Sequence, residues 1–400
     1  MSKVAIAYCS SYTQRDVNHA LSELMISLGY DFTEFIKPGM TVFIKPNWVA
    51  SRWRESCPHV DTIYSVITHQ AVIEAVADKV ADALNGIGRI IIGDNPSIDA
   101  DFDELMRLTG IEKLTTKYNV PCEILDLRPL VCKDLDDYGK KTKMHRQAGD
   151  PRGNIEINLG KKSLLYGVDS ALFRGVFDER EDTVASHSGE TQLYTFSKSL
   201  YEADVYISIP KLKTHHKVGV TLNLKGLVGC ITEKNQLVHW RIGSPETGGD
   251  EYPDVESLEA SKSEKVTKRG AHPGNDTIWR MVVDLYYSLQ KRERKYFSVV
   301  DGIIAGEGEG PLTPHAKKAN VLIAGNDFLE VDIVSTRLMG INPIMISYLQ
   351  HLISACGVCF DDITVIGKDY EAESFFTSSS AYLDFAVEEK WNGIKYYIES

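Results

Sequence analysis

The 400-residue sequence has no apolar run of membrane-spanning length, and its N-terminus turns polar at Ser10 and Ser11 before a signal-peptide core can form. We therefore expect a soluble, cytoplasmic protein with no membrane partner. Cysteine is sparse: seven residues, at positions 9, 57, 122, 132, 230, 356 and 359, are odd in number and scattered. That pattern argues against a disulfide framework. Only Cys356 and Cys359 have a C-x-x-C spacing, and without a second pair the plainer expectation is two buried cysteines at a glycine-ended helix. The sequence also lacks H-E-x-x-H, G-x-S-x-G and G-x-x-x-x-G-K-[ST], which leaves zincin, hydrolase-elbow and P-loop chemistry without support. Net positive charge is absent too. With 44 Lys+Arg against 56 Asp+Glu, the formal charge of −12 disfavours nucleic acid or an anionic surface as partner through overall charge.

Against this acidic background, residues 209–229 gather four lysines and two histidines: Lys211, Lys213, His215, His216, Lys217 and Lys225. They follow a short apolar run, 204–209, of strand type that stops at Pro210. So dense a cationic cluster calls for an anion. A solvated charge run is the plain alternative, but apolar Val218, Val220, Leu222 and Leu224 follow immediately, and Gly219, Gly226 and Gly229 allow close backbone approach.

A composition of 43% hydrophobic and 25% charged residues fits a folded globular chain. Strand-like 40–44, helical periodicity over 62–84 and strand-like 89–93 make a βαβ unit, which predicts a parallel sheet. Similar runs at 296–300 and 320–324, the latter before a helix near 328–339, extend the theme. The expected fold is α/β, a mainly parallel, Rossmann-like doubly wound sheet. It divides into a first core part (1–130), an insertion or lid (131–195), a core strand with the basic segment (196–231), a second insertion or lid (232–275) and a second core part (276–400). Both insertions are long for connections in a compact domain and point to active-site lids or homo-oligomer contacts.

Five of the expected strands end in polar residues: Lys45 and Asn47, Asp94 and Asn95, Lys211 and Lys213, Asp301, and Asn326 with Asp327. In a parallel sheet these ends share one edge and can meet in one cleft. Lys45, Asn47, Lys211, Lys213, Lys217, Thr221, Asn223 and Lys225 are the candidate substrate-binding residues. Thr221 and Lys225 share a face whether residues 219–228 form a strand or a helix, whereas Asn223 joins them only in a strand. His215, His216 and Asp301 are the candidate catalytic groups, since imidazole titrates near neutrality. Asp301, Glu307 and Glu309, in a glycine-rich stretch, are hard oxygen donors that suit Mg²⁺ or Mn²⁺, or alternatively serve as bases.

Lys45-Pro46-Asn47, the basic segment from Pro210 to His215, Gly219 to Lys225, Asp301-Gly302 with Gly308 to Pro311, and Val331-Asp332 occur in the same order as in the family catalogued as domain of unknown function three-six-two, which this sequence resembles over about residues 2–370. Many members carry a ferredoxin-like iron–sulfur module. This chain has no C-x-x-C-x-x-C run, so the resemblance implies no iron–sulfur cluster here. It also departs from the family in having Gly226 where Asn is usual, and in its two insertions.

Three functions fit these residues. The first is an enzyme for a small carboxylated or phosphorylated metabolite, moving a proton or a group. The second is a redox or metal-cofactor protein using Cys356 and Cys359 or the histidines. The third is a non-catalytic polyanion-binding module.

Overall fold

The computed structural model describes residues 2–51, 62–135, 141–175, 177, 180–263, 268–368, 370, 374–380 and 382–396; Cys57 lies outside them. Strand periodicity organises the core. In β1 (Ser2–Tyr8), β2 (Thr41–Pro46), β3 (Arg89–Asp94) and β5 (Val205–Ile209), side chains alternate between two faces of the core, while the edge strand β4 (Cys122–Asp126) is half-buried. Val42, Ile44, Ile90, Ile92, Val205 and Ile207 pack on one side, with helices α1 (Gln14–Leu28) and α2 (Gln70–Leu84). Phe43, Ile91 and Tyr206 pack on the other, with α4 (Ile278–Leu289), α5 (Phe328–Leu338) and α6 (Ser347–Cys356); α3 (Asn223–Gly226) belongs to the site.

The sheet is mixed rather than purely parallel. Its further strands are β6 (Lys211–His215), β7 (Gly219–Thr221), β8 (Lys295–Glu307), β9 (His315–Gly325) and β10 (Ile363–Gly367), and its order is β10-β1-β9-β8-β5-β2-β3-β4, with β6 joined to β8 and β7. The predicted β2–α2–β3 unit is present with parallel pairing. Strand β9, however, runs antiparallel to both neighbours, pairing Gly325 with Ser298 and His315 with Glu307. Two consequences refine the sequence reading. The architecture is α/β, with a mainly parallel sheet made mixed by the antiparallel strand β9. Asn326 and Asp327 fall at the opposite edge from the other strand ends, where Asp327 caps α5 by accepting from the Leu329 and Glu330 amides.

The glycine-rich stretch after Val300 is also reinterpreted. It is not a flexible loop: β8 continues through Glu307 and folds back as a hairpin with β9. Asp301 is therefore mid-strand and fully buried.

The two inserted regions meet each other. Phe173–Arg174 pairs with Trp240–Arg241, so residues from both form one layer beside the sheet. Asp284 on α4 ties the first to the core by accepting from Leu164 N–H at 2.8 Å and Tyr194 O–H at 3.1 Å. Burial pushes that carboxyl up to about 7. Among the described residues no helix is long and apolar enough to cross a membrane.

Candidate functional site

The chain leaves β5 at Pro210 and immediately re-enters the sheet as β6, every residue of which is buried. The basic segment is thus a strand, and its lysines take their partners from the hairpin of β8. Lys211 opposes Asp301 and Lys213 opposes Gly306, with a shift of register between them. The shift separates the two lysines. Lys211 Nζ lies 2.6 Å from Asp301 Oδ2 and also donates to Tyr12 Oη and the Ile304 carbonyl. Lys213 Nζ reaches only two carbonyls, those of Val66 at 2.8 Å and Pro311 at 3.1 Å.

Lys213 lines a cavity of about 280 Å³ at the C-terminal ends of β2, β3 and β6. Lys45, Lys217, Lys225 and Lys234 line it as well, together with His215, His216, His239, Asn47, Asn95 and Thr221, and among the described residues Asp94 is the single carboxylate in the wall. Lys45 pairs with Asp94 at 2.8 Å. Asp94 accepts also from the Trp48 and Asn95 amides, so its capacity is largely used. Gly229 is required at this point: a Cβ there would lie 2.2 Å from Asp94 Oδ1. Lys217 donates to the Arg269 carbonyl and sits 4.5 Å above the Trp240 ring. Lys225, only 9% exposed, has no carboxylate partner among the described residues.

So much unbalanced positive charge out of water perturbs the groups that carry it. Burial, with Lys45 nearby, lowers Lys225 to about 8. Burial and Lys225 lower Lys217 to about 7. Burial, then Lys211 and Lys225, hold Lys213 well below the ordinary lysine value. Desolvation with neighbouring lysines brings His216 and His239 down to about 3 and keeps His215 well below its usual range. The three imidazoles are neutral at pH 7. Two buried polar atoms in this wall, Thr221 Oγ1 and Asn95 Oδ1, have no hydrogen-bond partner among the described residues.

The structure therefore sorts the candidate residues. Lys45, Asn47, Lys213, His215, His216, Lys217, Thr221 and Lys225 share the cavity. Asn47 also braces the wall, donating from Nδ2 to the Val66 carbonyl at 2.7 Å. Lys211, Asn223 and Asp301 stand outside it. Asn223 begins α3 and faces α5, where its amide and Nδ2 both donate to Asp332 and its Oδ1 accepts from Ser298. Asp301 is enclosed by Lys211, Tyr12 Oη and the His69 amide. Glu307 pairs with Lys317 at 2.9 Å and Glu309 with Lys268 at 2.7 Å. The three carboxylates assigned to a cation are thus each engaged by a different lysine, and among the described residues no three His, Cys, Asp or Glu side chains come together to hold a metal ion. Cys356 and Cys359 are free and exposed rather than buried, at the end of α6 capped by Gly357, and neither lines the cavity.

Sequence reasoning missed Lys234 and His239. Both come from the second insertion; its length points to a lid, but nothing in its Gly- and Pro-rich sequence singles out which of its residues reach the strand edge.

Fold and cavity define an α/β protein with a cationic chamber at the C-terminal edge of its parallel strands, walled in by an inserted layer. The chain belongs to the family described as domain of unknown function (DUF362), whose model matches residues 42–150 and 158–337. It is 25% identical over 346 residues to the thylakoid-associated protein sll1697 of Synechocystis sp., spanning 86% of this chain and 76% of that one. Among solved structures it is similar to a Thermotoga maritima protein (13% identity, TM-score 0.37, 78% of this chain) and to the lactate racemase apoprotein of Thermoanaerobacterium thermosaccharolyticum (12% identity, TM-score 0.31, 75% of this chain). The chain spans about half the length of each, 55% and 51%.

Proposed function

We propose that this protein is an enzyme acting on a small anionic metabolite, carboxylated or phosphorylated, bound in the lysine-lined cavity. One observation carries the reading: Lys45, Lys213, Lys217 and Lys225 line one cavity in which, among the described residues, Asp94 is the single carboxylate and is already paired to Lys45. Buried charge without a counter-charge is costly, and a bound anion removes that cost. A cavity of about 280 Å³ suits a small molecule. Lys213 and Lys225 bind the anion, Thr221 donates its hydroxyl proton to it, and the neutral imidazoles handle protons.

Calorimetric titration with inorganic phosphate, citrate and 2-oxoglutarate tests this. We expect wild type to bind at least one of them, and Lys213→Ala/Lys225→Ala to lose binding at least tenfold while keeping its circular dichroism. Equal affinity in the folded double variant sinks the reading.

A further inference from the structure

Three imidazoles line the cavity, and backbone contacts fix the ring proton on two of them in opposite senses. His215 Nδ1 accepts from the Lys217 amide at 3.0 Å, so the proton of this neutral ring is on Nε2. His239 Nδ1 lies 2.7 Å from the Leu237 carbonyl oxygen, which can only accept. Its proton is therefore on Nδ1, and Nε2 keeps a free lone pair. Neither Nε2 has a protein partner among the described residues, and both side chains line the same cavity. His216 differs: its buried Nδ1 has no partner among the described residues, and none of them fixes its tautomer through that atom.

One ring thus offers a lone pair and the other an N–H, in a chamber rich in ammonium groups. We infer that His239, supplied by the inserted segment, is the proton acceptor of this site, that His215 is its neutral hydrogen-bond donor, and that the ligand is an anionic carbonyl compound with a removable proton on the adjacent carbon. This rests on the anion-site reading above and adds the reaction class. His239 Nε2 takes the proton: the C–H bond breaks, an N–H bond forms, and the electron pair moves onto the carbonyl oxygen as an enolate. The His215 Nε2–H and the Lys225 ammonium stabilise that oxygen, in the manner of an oxyanion hole. Return of the proton from the His239 imidazolium to carbon restores the carbonyl, so the step needs no oxidant or co-reactant. The ligand's own charge assists. Besides burial, Lys225 and Lys217 are what suppress the basicity of His239, and an anion seated among them offsets both. That part of the suppression is lifted when the ligand is present, while the part due to burial stays.

Two measurements test this. Long-range ¹H–¹⁵N spectra of the ligand-free wild type, with ¹⁵N-histidine and assignment by His215→Gln and His239→Gln, should show an Nε2–H tautomer for His215 and an Nδ1–H tautomer for His239; the reverse assignment for either ring overturns the inference. In D₂O, 2-oxobutyrate, 2-oxoglutarate and dihydroxyacetone phosphate are then followed by NMR for deuterium entering next to the carbonyl. We expect wild type to accelerate exchange of at least one probe, and His239→Gln to lose about 10²-fold or more of that rate while binding the probe within about threefold of wild type. Exchange that persists in His239→Gln, or binding of these probes by wild type without exchange, overturns the inference and leaves the anion site standing. Failure of wild type to bind any of the three overturns the inference, and failure to bind phosphate and citrate as well overturns the anion-site reading itself.

Discussion

Gly229 and Asp94 meet at the floor of the cavity so closely that no side chain fits between them, and this contact seats the carboxylate against Lys45. A Cβ at 229 would lie 2.2 Å from Asp94 Oδ1 and 2.7 Å from Lys45 Nζ. Gly229→Ala should therefore displace a buried ion pair and cost about 2–4 kcal/mol in urea unfolding. A midpoint equal to that of wild type would refute the contact.

The cavity is held together against the charge of its own lysines. Lys225 is charged in the unfolded chain up to its ordinary value of 10.5, but folding lowers it to about 8. The unfolded state thus binds more protons between those values, and stability rises with pH across that window. Lys225→Met should stabilise the ligand-free protein by about 1–3 kcal/mol at pH 7. That gain should shrink as pH rises above 8 and vanish near 10.5. Thermal unfolding of both proteins across this range checks it, and a gain that does not depend on pH would contradict the electrostatic cause.

Acid should unfold the protein early. His69, lowered to about 4, and His216 and His239, lowered to about 3, are neutral in the fold and take up protons when it opens. Their stabilisation is complete above 6.5 and is lost as pH falls through the folded values. Asp284 and Asp332, both raised to about 7, oppose this, because protonation between 7 and 3.8 favours the fold. The histidines outnumber the carboxylates, so unfolding free energy should decline from pH 6.5 toward 4, with a shallower slope in His239→Gln. A rise in stability over that interval would contradict the assignment.

Asn223 links α3, β8 and α5 through hydrogen bonds, and we expect it to brace the fold. Asn223→Ala removes one hydrogen bond from Asp332 and strands the Ser298 hydroxyl, at a cost of about 1–3 kcal/mol. Anion affinity should stay within about twofold by calorimetry; a tenfold loss in the folded variant would return Asn223 to the binding set.

Gly226 leaves room in the cavity. Its backbone is ordinary helix, φ −60 and ψ −21, and a Cβ would meet nothing within 4 Å. Gly226→Ala should fold with equal or slightly higher stability, whereas Gly226→Leu should fill the chamber and weaken anion binding at least tenfold. Unchanged binding by the leucine variant would place the ligand elsewhere.

Much of this molecule is legible residue by residue. The strands Thr41–Pro46, Arg89–Asp94 and Val205–Ile209 announce themselves as apolar runs closed by polar residues, and the helix Gln70–Leu84 by its 3.6-residue period. Thr221 and Lys225 could be paired in advance because four-residue and two-residue spacings both place them on one side. The direction of β9 could not be read. It follows from a hairpin whose first arm, 302–307, contains two glycines and looks like a loop until β9 supplies its hydrogen bonds.

The sequence by itself determined the α/β class, the acidic surface and the concentration of cations after one buried strand, because these depend on local periodicity and composition. Tertiary structure alone decided which cations are free. Lys211 and Lys213 are two residues apart and chemically identical, yet Asp301, 90 residues away, neutralises one while the other faces carbonyls and the cavity. Likewise, Lys234 and His239 join the site only because an inserted layer folds over the sheet edge. Counter-charge and enclosure are made by residues distant in the chain, so the fold had to form before the site could be identified.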